Sequence, residues 1–82
     1  MKKTFSIGNT AKITSITQKQ LRYWEKTKIL NNIQRVVCGE RSYRQYSYDQ
    51  IKLINKIKKY LDIGYTLNAS ARLAKESAAK SV

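Results

Sequence analysis

The chain contains no proline, no histidine, a single cysteine and only three glycines in 82 residues. Without histidine, and with only five scattered acids, it offers neither a general acid–base pair nor a nucleophile–base couple, and it has no glycine-rich phosphate loop. A metal site needs several converging ligands, which this composition does not supply. We therefore expect no catalysis, no metal and no cofactor.

The cysteine content and the hydrophobic pattern indicate where the protein resides. A single cysteine, Cys38, cannot form an intramolecular disulfide, which fits a reducing compartment. The opening Met-Lys-Lys is not followed by the apolar stretch of a signal peptide, and the longest apolar runs are only a few residues long. These features predict a cytoplasmic protein that does not insert into a membrane.

The charge balance is strongly one-sided. Seventeen Lys and Arg residues face five Asp and Glu residues, which gives a net charge of +12 and an isoelectric point near 10.1. A domain this basic attracts polyanions, and an isoelectric point above about 9 is typical of nucleic-acid-binding domains. The length, with 41% hydrophobic residues, suits one small folded domain.

The first third of the chain predicts two helices joined by a short turn. Ser6 is a natural N-cap for a helix over about Ile7–Ile13, and Ser15-Ile16 forms the turn. Thr17 then caps a second helix from Gln18 to about Lys28. Two helices joined in this way form a helix-turn-helix unit, whose second helix enters the major groove of DNA.

The second helix has two chemically different faces. Leu21 and Trp24 lie on one side and are expected to anchor the helix in the core. The opposite side is cationic and carries a tyrosine, Tyr23, which suits contact with a sugar-phosphate backbone. The DNA-binding residues predicted from this helix are Thr17, Gln18, Lys19, Arg22, Tyr23 and Lys26. Gln18 and Lys19, at its N-terminal end, are expected to reach base edges.

The segment from Asn32 to Tyr46 changes to β-forming residues and predicts a two-stranded wing. The turn lies at Cys38-Gly39-Glu40-Arg41, where the glycine suits a positive φ, and Ser42–Tyr46 forms the return strand. The wing is expected to clamp the DNA backbone, with Arg41 and Arg44 on phosphates. Its predicted DNA-binding residues are Arg35, Arg41, Tyr43 and Arg44.

The remainder predicts two further helices. Ser47 caps the third, with Gln50 as its capping-box partner, and Gly64 ends it at a positive φ. Thr66 caps the fourth. The apolar stripe of the third helix consists of Ile51, Ile54, Ile57 and Leu61. The domain is expected to span residues 1–76, with 77–82 as a frayed tail.

Four segments, in this order and spacing, resemble the DNA-binding domain of MerR-family transcription regulators. They are Phe5–Ile13, Leu21–Glu25 (LRYWE), Tyr43–Ser47 (YRQYS) and Ile63–Leu67 (IGYTL). The resemblance, which runs from about Phe5 to Leu73, implies a mainly α winged helix-turn-helix with about four helices and a small two-stranded wing. It also implies sequence-specific binding of double-stranded DNA in transcription regulation.

Two positions depart from the family pattern. Ser15 and Lys28 stand where the family usually has glycine, so a left-handed backbone at these residues would cost about 1 kcal/mol each.

Family regulators usually continue into a dimerisation helix and an effector domain, and this chain ends before them. We therefore expect no small-molecule effector in this chain and a free monomer that pairs, if at all, on DNA. Three alternatives stay open from the sequence. They are a stand-alone architectural or excisionase-like DNA-binding protein, a module for anionic membrane surfaces, and an RNA-binding domain.

Overall fold

The computed structural model of the chain describes residues 4–31 and 33–80, the last three by their backbone alone. Within these ranges the fold has four helices and one three-stranded antiparallel sheet. The elements are β1 (Thr4–Ser6), α1 (Ile7–Thr14), α2 (Gln18–Lys26), β2 (Gln34–Cys38), β3 (Arg41–Ser47), α3 (Tyr48–Ile63) and α4 (Leu67–Lys80). The predicted mainly α winged helix-turn-helix with four helices is confirmed.

The helices begin where their capping residues predict. In each case a hydroxyl oxygen accepts a hydrogen bond from the backbone N–H three residues later, at 3.1 to 3.2 Å. The four caps are Ser6, Thr17, Ser47 and Thr66. In α2 and α3 the side chains of Gln20 and Gln50 also accept from the N-cap backbone N–H, which completes a capping box.

The sheet has the strand order β1-β3-β2, so the predicted two-stranded wing is part of a larger sheet. The hairpin of β2 and β3 forms as predicted, and β1 adds a third strand in which Phe5 pairs with Tyr46. A three-residue strand shows no periodicity of its own, and its partner lies far along the chain. The sequence pattern alone therefore did not reveal it. Strand β2 begins at Gln34, and Asn32 lies outside the described residues.

The core lies between the helices and the inner face of the sheet. Leu21 and Trp24 of α2 are buried, as predicted, and so are Ile51, Ile54 and Ile57 of the α3 stripe. Other buried apolar residues in this core are Ile16, Ile29, Leu30, Tyr46, Ala71 and Ala74. Because helices α1 and α3 both pack against β3, the central strand is the part of the sheet that joins the core.

The two positions that depart from the family's glycines both have a left-handed backbone. Ser15 ends α1 with a φ of 60°, and Lys28 follows α2 with a φ of 64°. After Lys26 the backbone turns back on the helix, and the N–H of Ile29 donates to the carbonyl of Trp24 at 2.8 Å. Helix α2 therefore ends at Lys26, slightly earlier than expected.

The last two helices meet at a glycine, as predicted. Gly64 has a φ of 124°, a value that favours glycine, and its N–H donates to the carbonyl of Leu61 at 3.1 Å. Helix α4 continues to Lys80, past the predicted domain end at residue 76. The fraying expected for 77–82 stays a prediction. No helix among the described residues is long and apolar enough to cross a membrane.

Candidate nucleic-acid interface

Helix α2 presents a cationic face opposite its buried anchors. Leu21 and Trp24 are 0% and 2% exposed, whereas the predicted contact residues of the helix are all exposed. Tyr23 stands out among them, with 56% of its surface exposed. The cations and the tyrosine of this face are Lys19, Arg22, Tyr23 and Lys26. The predicted division of the helix into two faces is therefore confirmed, while its contact with DNA remains a prediction.

The N-terminal end of α2 combines a capping residue, Thr17, with two exposed residues that follow it. The hydroxyl of Thr17 is used in the capping box with Gln20, so this side chain fixes the start of the helix. Gln18 and Lys19 follow it and are exposed. A shallow groove between α1 and α2 runs past this end and includes Lys12. The two residues predicted to reach base edges are thus free to do so from a fixed helix start.

The four predicted wing residues lie on two faces of the sheet. Arg35 pairs directly with Arg44, so these two share a face with buried Tyr46. Tyr43 and Arg41, one or three residues from Arg44, point to the opposite face, and Tyr43 is 50% exposed. The wing therefore does not present one uniform row of cations.

A glutamate connects α2 to both strands of the wing. The Oε1 atom of Glu25 accepts from the Arg35 guanidinium at 2.6 Å, and its Oε2 atom accepts from Arg44 Nε at 3.2 Å. The sequence placed Glu25 only beside the apolar face of the helix. In the sequence, Glu25 is distinguished only as a single acid in the last turn of an otherwise cationic helix. Its ion-pair partners lie ten and nineteen residues away, so the sequence did not reveal them.

Tyr46 lies beneath this ion-pair cluster. Its ring is fully buried, and its hydroxyl has no hydrogen-bond partner among the described residues. Burial raises the pKa of the Tyr46 phenol, and the negative charge of Glu25 adds to the increase, while nearby arginines oppose it. The phenol therefore stays neutral in the folded domain at physiological pH.

The described residues contain no group of three or more His, Cys, Asp or Glu side chains that could hold a metal ion. Cys38 lies at the end of β2 with an exposed free thiol. The chemical character of this surface is thus set by its cations, its tyrosines and Glu25.

Comparison with known proteins identifies relatives of the whole domain. The MerR HTH family of regulatory proteins matches residues 5–77. An HTH-type transcriptional regulator of Mycobacterium tuberculosis is 33% identical over 60 residues, which cover 73% of this chain and 27% of that protein. The mercuric resistance operon regulatory protein of Bacillus cereus is 29% identical over 69 residues, which cover 84% of this chain and 50% of that protein.

Solved structures share the fold. HiNmlR, a MerR family regulator that lacks the sensor domain and was crystallised bound to promoter DNA, superposes with a TM-score of 0.74 at 20% identity. The match covers 93% of this chain and 55% of HiNmlR. A MerR family transcriptional regulator from Bacillus cereus superposes with a TM-score of 0.72, also at 20% identity, and the match covers 87% of this chain and 51% of that one.

The chain spans about half, or less, of the length of the proteins it matches. Within that span the family match covers almost every described element, from β1 into α4. The motifs that suggested the family from the sequence all lie inside it. The chain belongs to the MerR family of helix-turn-helix regulatory proteins.

Proposed function

We propose that this domain binds double-stranded DNA in a sequence-dependent manner and thereby regulates transcription. Helix α2 enters the major groove, and the wing contacts the sugar-phosphate backbone beside it. The domain acts by binding and not by catalysis. Because its ligand is then chromosomal DNA, its place of action is the cytoplasm, at the nucleoid.

The observation that carries this proposal is the exposed cationic face of α2. A helix held by Leu21 and Trp24 on one side presents three cations and an exposed tyrosine on the other. Arginine and lysine bind phosphates and guanine edges, and a tyrosine hydroxyl can donate to a phosphate. The promoter-bound relative HiNmlR has the same fold, which supports DNA as the ligand.

A division of labour follows from the placement of the side chains. Gln18 and Lys19 stand at the N-terminal end of α2, where helix-turn-helix proteins reach base edges. Arg41 lies at the wing tip, opposite Cys38, and is exposed. We expect the first two to select the base sequence and Arg41 to hold a phosphate.

Selection of bound duplexes from a random library tests the function. A recovered motif gives the base preference of α2, and its symmetry shows how copies of the domain are arranged on DNA. If the recovered duplexes are no richer in any motif than the starting library, sequence-dependent binding is refuted.

A second measurement, made by fluorescence anisotropy, is the dependence of the association constant K on salt concentration. If one domain neutralises about six phosphates, log K should fall with log[salt] at a slope of roughly −5. Arg41→Gln should reduce this slope by about one, whereas Lys59→Gln, which removes an exposed charge from α3, should leave it nearly unchanged. A wild-type slope near zero contradicts the proposed contacts.

A further inference from the structure

Among the described residues, Glu25 joins helix α2 to the wing, whose outer strand β2 has little other contact with the helices. Helices α1 and α3 pack against β3, but among the described residues α2 makes no comparable close backbone approach to either wing strand. Every residue of β2 is exposed, so this strand is held mainly by β3. In the described part of the chain, the bond from Arg35 to Glu25 is the only side-chain hydrogen bond that links β2 to a helix.

The geometry of the cluster suits a rigid link. Arg35 and Arg44 are directly opposite each other on neighbouring strands, where like charges repel. One carboxylate lies between them and accepts from both, with 18% of its side chain exposed. Each end is fixed to the core, because Glu25 follows buried Trp24 and Arg44 lies two residues before buried Tyr46.

The position of Glu25 is unfavourable for its own helix. It lies in the last turn of α2, where the helix dipole disfavours a negative charge. It also places an acid within the surface proposed to meet phosphates. Neither helix stability nor attraction to DNA accounts for an acid here, whereas the two ion pairs to the wing do.

We propose that Glu25 is a positioning residue for DNA binding. Through its ion pairs with Arg35 and Arg44 it holds the wing at a fixed orientation to α2. The wing and α2 can then contact one DNA duplex without first ordering these side chains. The inference rests on the proposed DNA binding. In this role Glu25, the one acid of α2, neither contacts a phosphate nor reads a base.

Two variants with the same charge change test the proposal. Glu25→Gln and Glu40→Gln each remove one negative charge, and Glu40 is exposed at the wing tip with no ion pair in residues 4–31 and 33–80. Electrostatics alone predicts tighter binding to DNA for both. We expect Glu25→Gln to weaken binding by about tenfold, since one or two long side chains must then be ordered during binding. Tighter binding by both variants overturns the proposal.

Glu25→Asp provides a test at constant charge and serves if Glu25→Gln fails to fold. Its carboxylate is one methylene shorter and cannot reach Arg35 and Arg44 at their present positions at once. We expect it to weaken binding although the net charge is unchanged. Wild-type affinity for a folded Glu25→Asp variant overturns the proposal. Circular dichroism melts confirm that each variant is folded at the assay temperature.

A double-mutant cycle shows whether Glu25 acts through the wing. Arg35→Gln should weaken binding in the wild type but have much less effect when combined with Glu25→Gln, because Arg35 is then already released. If the two substitutions reduce the binding free energy additively, Glu25 does not act through Arg35, and the proposed mechanism is overturned.

The single cysteine supplies a direct readout of wing position. Cys38 is exposed at the end of β2, so a nitroxide attached to it broadens nearby amide signals by nuclear magnetic resonance. We expect Glu25→Gln to change the broadening along α2 and Glu40→Gln to leave it unchanged. An unchanged pattern in both overturns the proposal.

The two possible failures are distinguishable. If the wild-type domain shows no salt-dependent binding to duplex DNA, the proposed function fails. If the wild type binds and the Glu25 variants bind equally well or better, only the positioning role fails.

Discussion

Glycine at Ser15 and Lys28 should stabilise the domain. Both residues have a left-handed backbone, with φ values of 60° and 64°. Neither side chain makes a hydrogen bond or ion pair within residues 4–31 and 33–80, and both are exposed. Their replacement therefore relieves backbone strain without breaking a described contact.

The magnitude follows from two opposing terms. A residue with a Cβ atom pays about 1–2 kcal/mol in the left-handed region, while glycine makes the unfolded chain more flexible, at about 0.4–1 kcal/mol. The net gain is about 0.5–1 kcal/mol per site. The two sites lie at the ends of different helices and should add, so the double variant should gain about 1.5 kcal/mol. For a domain of this size that raises Tm by about 6–12 °C.

Thermal and urea unfolding, followed by circular dichroism, measure the effect. Lys59→Gly is the control, because Lys59 is exposed within α3, where glycine should destabilise the helix by about 1 kcal/mol. Lys28→Ala separates backbone strain from the lost charge and should not stabilise the domain. If glycine at Ser15 and Lys28 destabilises the domain as Lys59→Gly does, the argument from backbone strain is refuted.

The remaining predictions concern Tyr46 and the association state. Tyr46→Phe should change the unfolding free energy at pH 7 by less than about 1 kcal/mol, because the hydroxyl has no described partner. Since the folded pKa of Tyr46 is raised above its ordinary 10.0, wild-type stability should fall as the pH rises through 10 towards the folded pKa, and the variant should lack this loss. Urea unfolding at pH 7 and 11 compares the two, and equal losses contradict the assignment. The free domain should sediment as a monomer at low micromolar concentration, because a net charge of +12 opposes self-association, and a persistent dimer mass contradicts this.

Local chemistry made much of this fold predictable. Each helix start is marked by a hydroxyl residue whose partner lies three positions away, so the sequence contains both groups of each cap. The buried stripe of α3 and the two faces of α2 follow from helical periodicity in the same way. The residue types at Ser15 and Lys28 disfavour the left-handed backbone that both adopt, and only the family's usual glycines indicated its cost there.

What escaped prediction depends on contacts between distant parts of the chain. Strand β1 has three residues, and only its pairing with β3 makes it a strand. Similarly, nothing local distinguishes Glu25 from any helical acid until Arg35 and Arg44 are placed beside it. The wing arginines were expected to act alike, yet the sheet register places Arg41 on the face opposite them. Tertiary pairing, and not propensity, decides these features.

The order of the strands also determines which parts of the domain can open separately. Thr4 pairs with Ser47, so β1 and β3 close a loop of the chain. This loop contains the helix-turn-helix and strand β2 of the wing. Forming that closure requires distant segments to meet, which makes it an entropically demanding step of folding. Strand β2 lies at the opposite edge and can detach while the loop stays closed. We therefore expect β2 to detach more readily than β1 and β3, whose pairing keeps the loop closed.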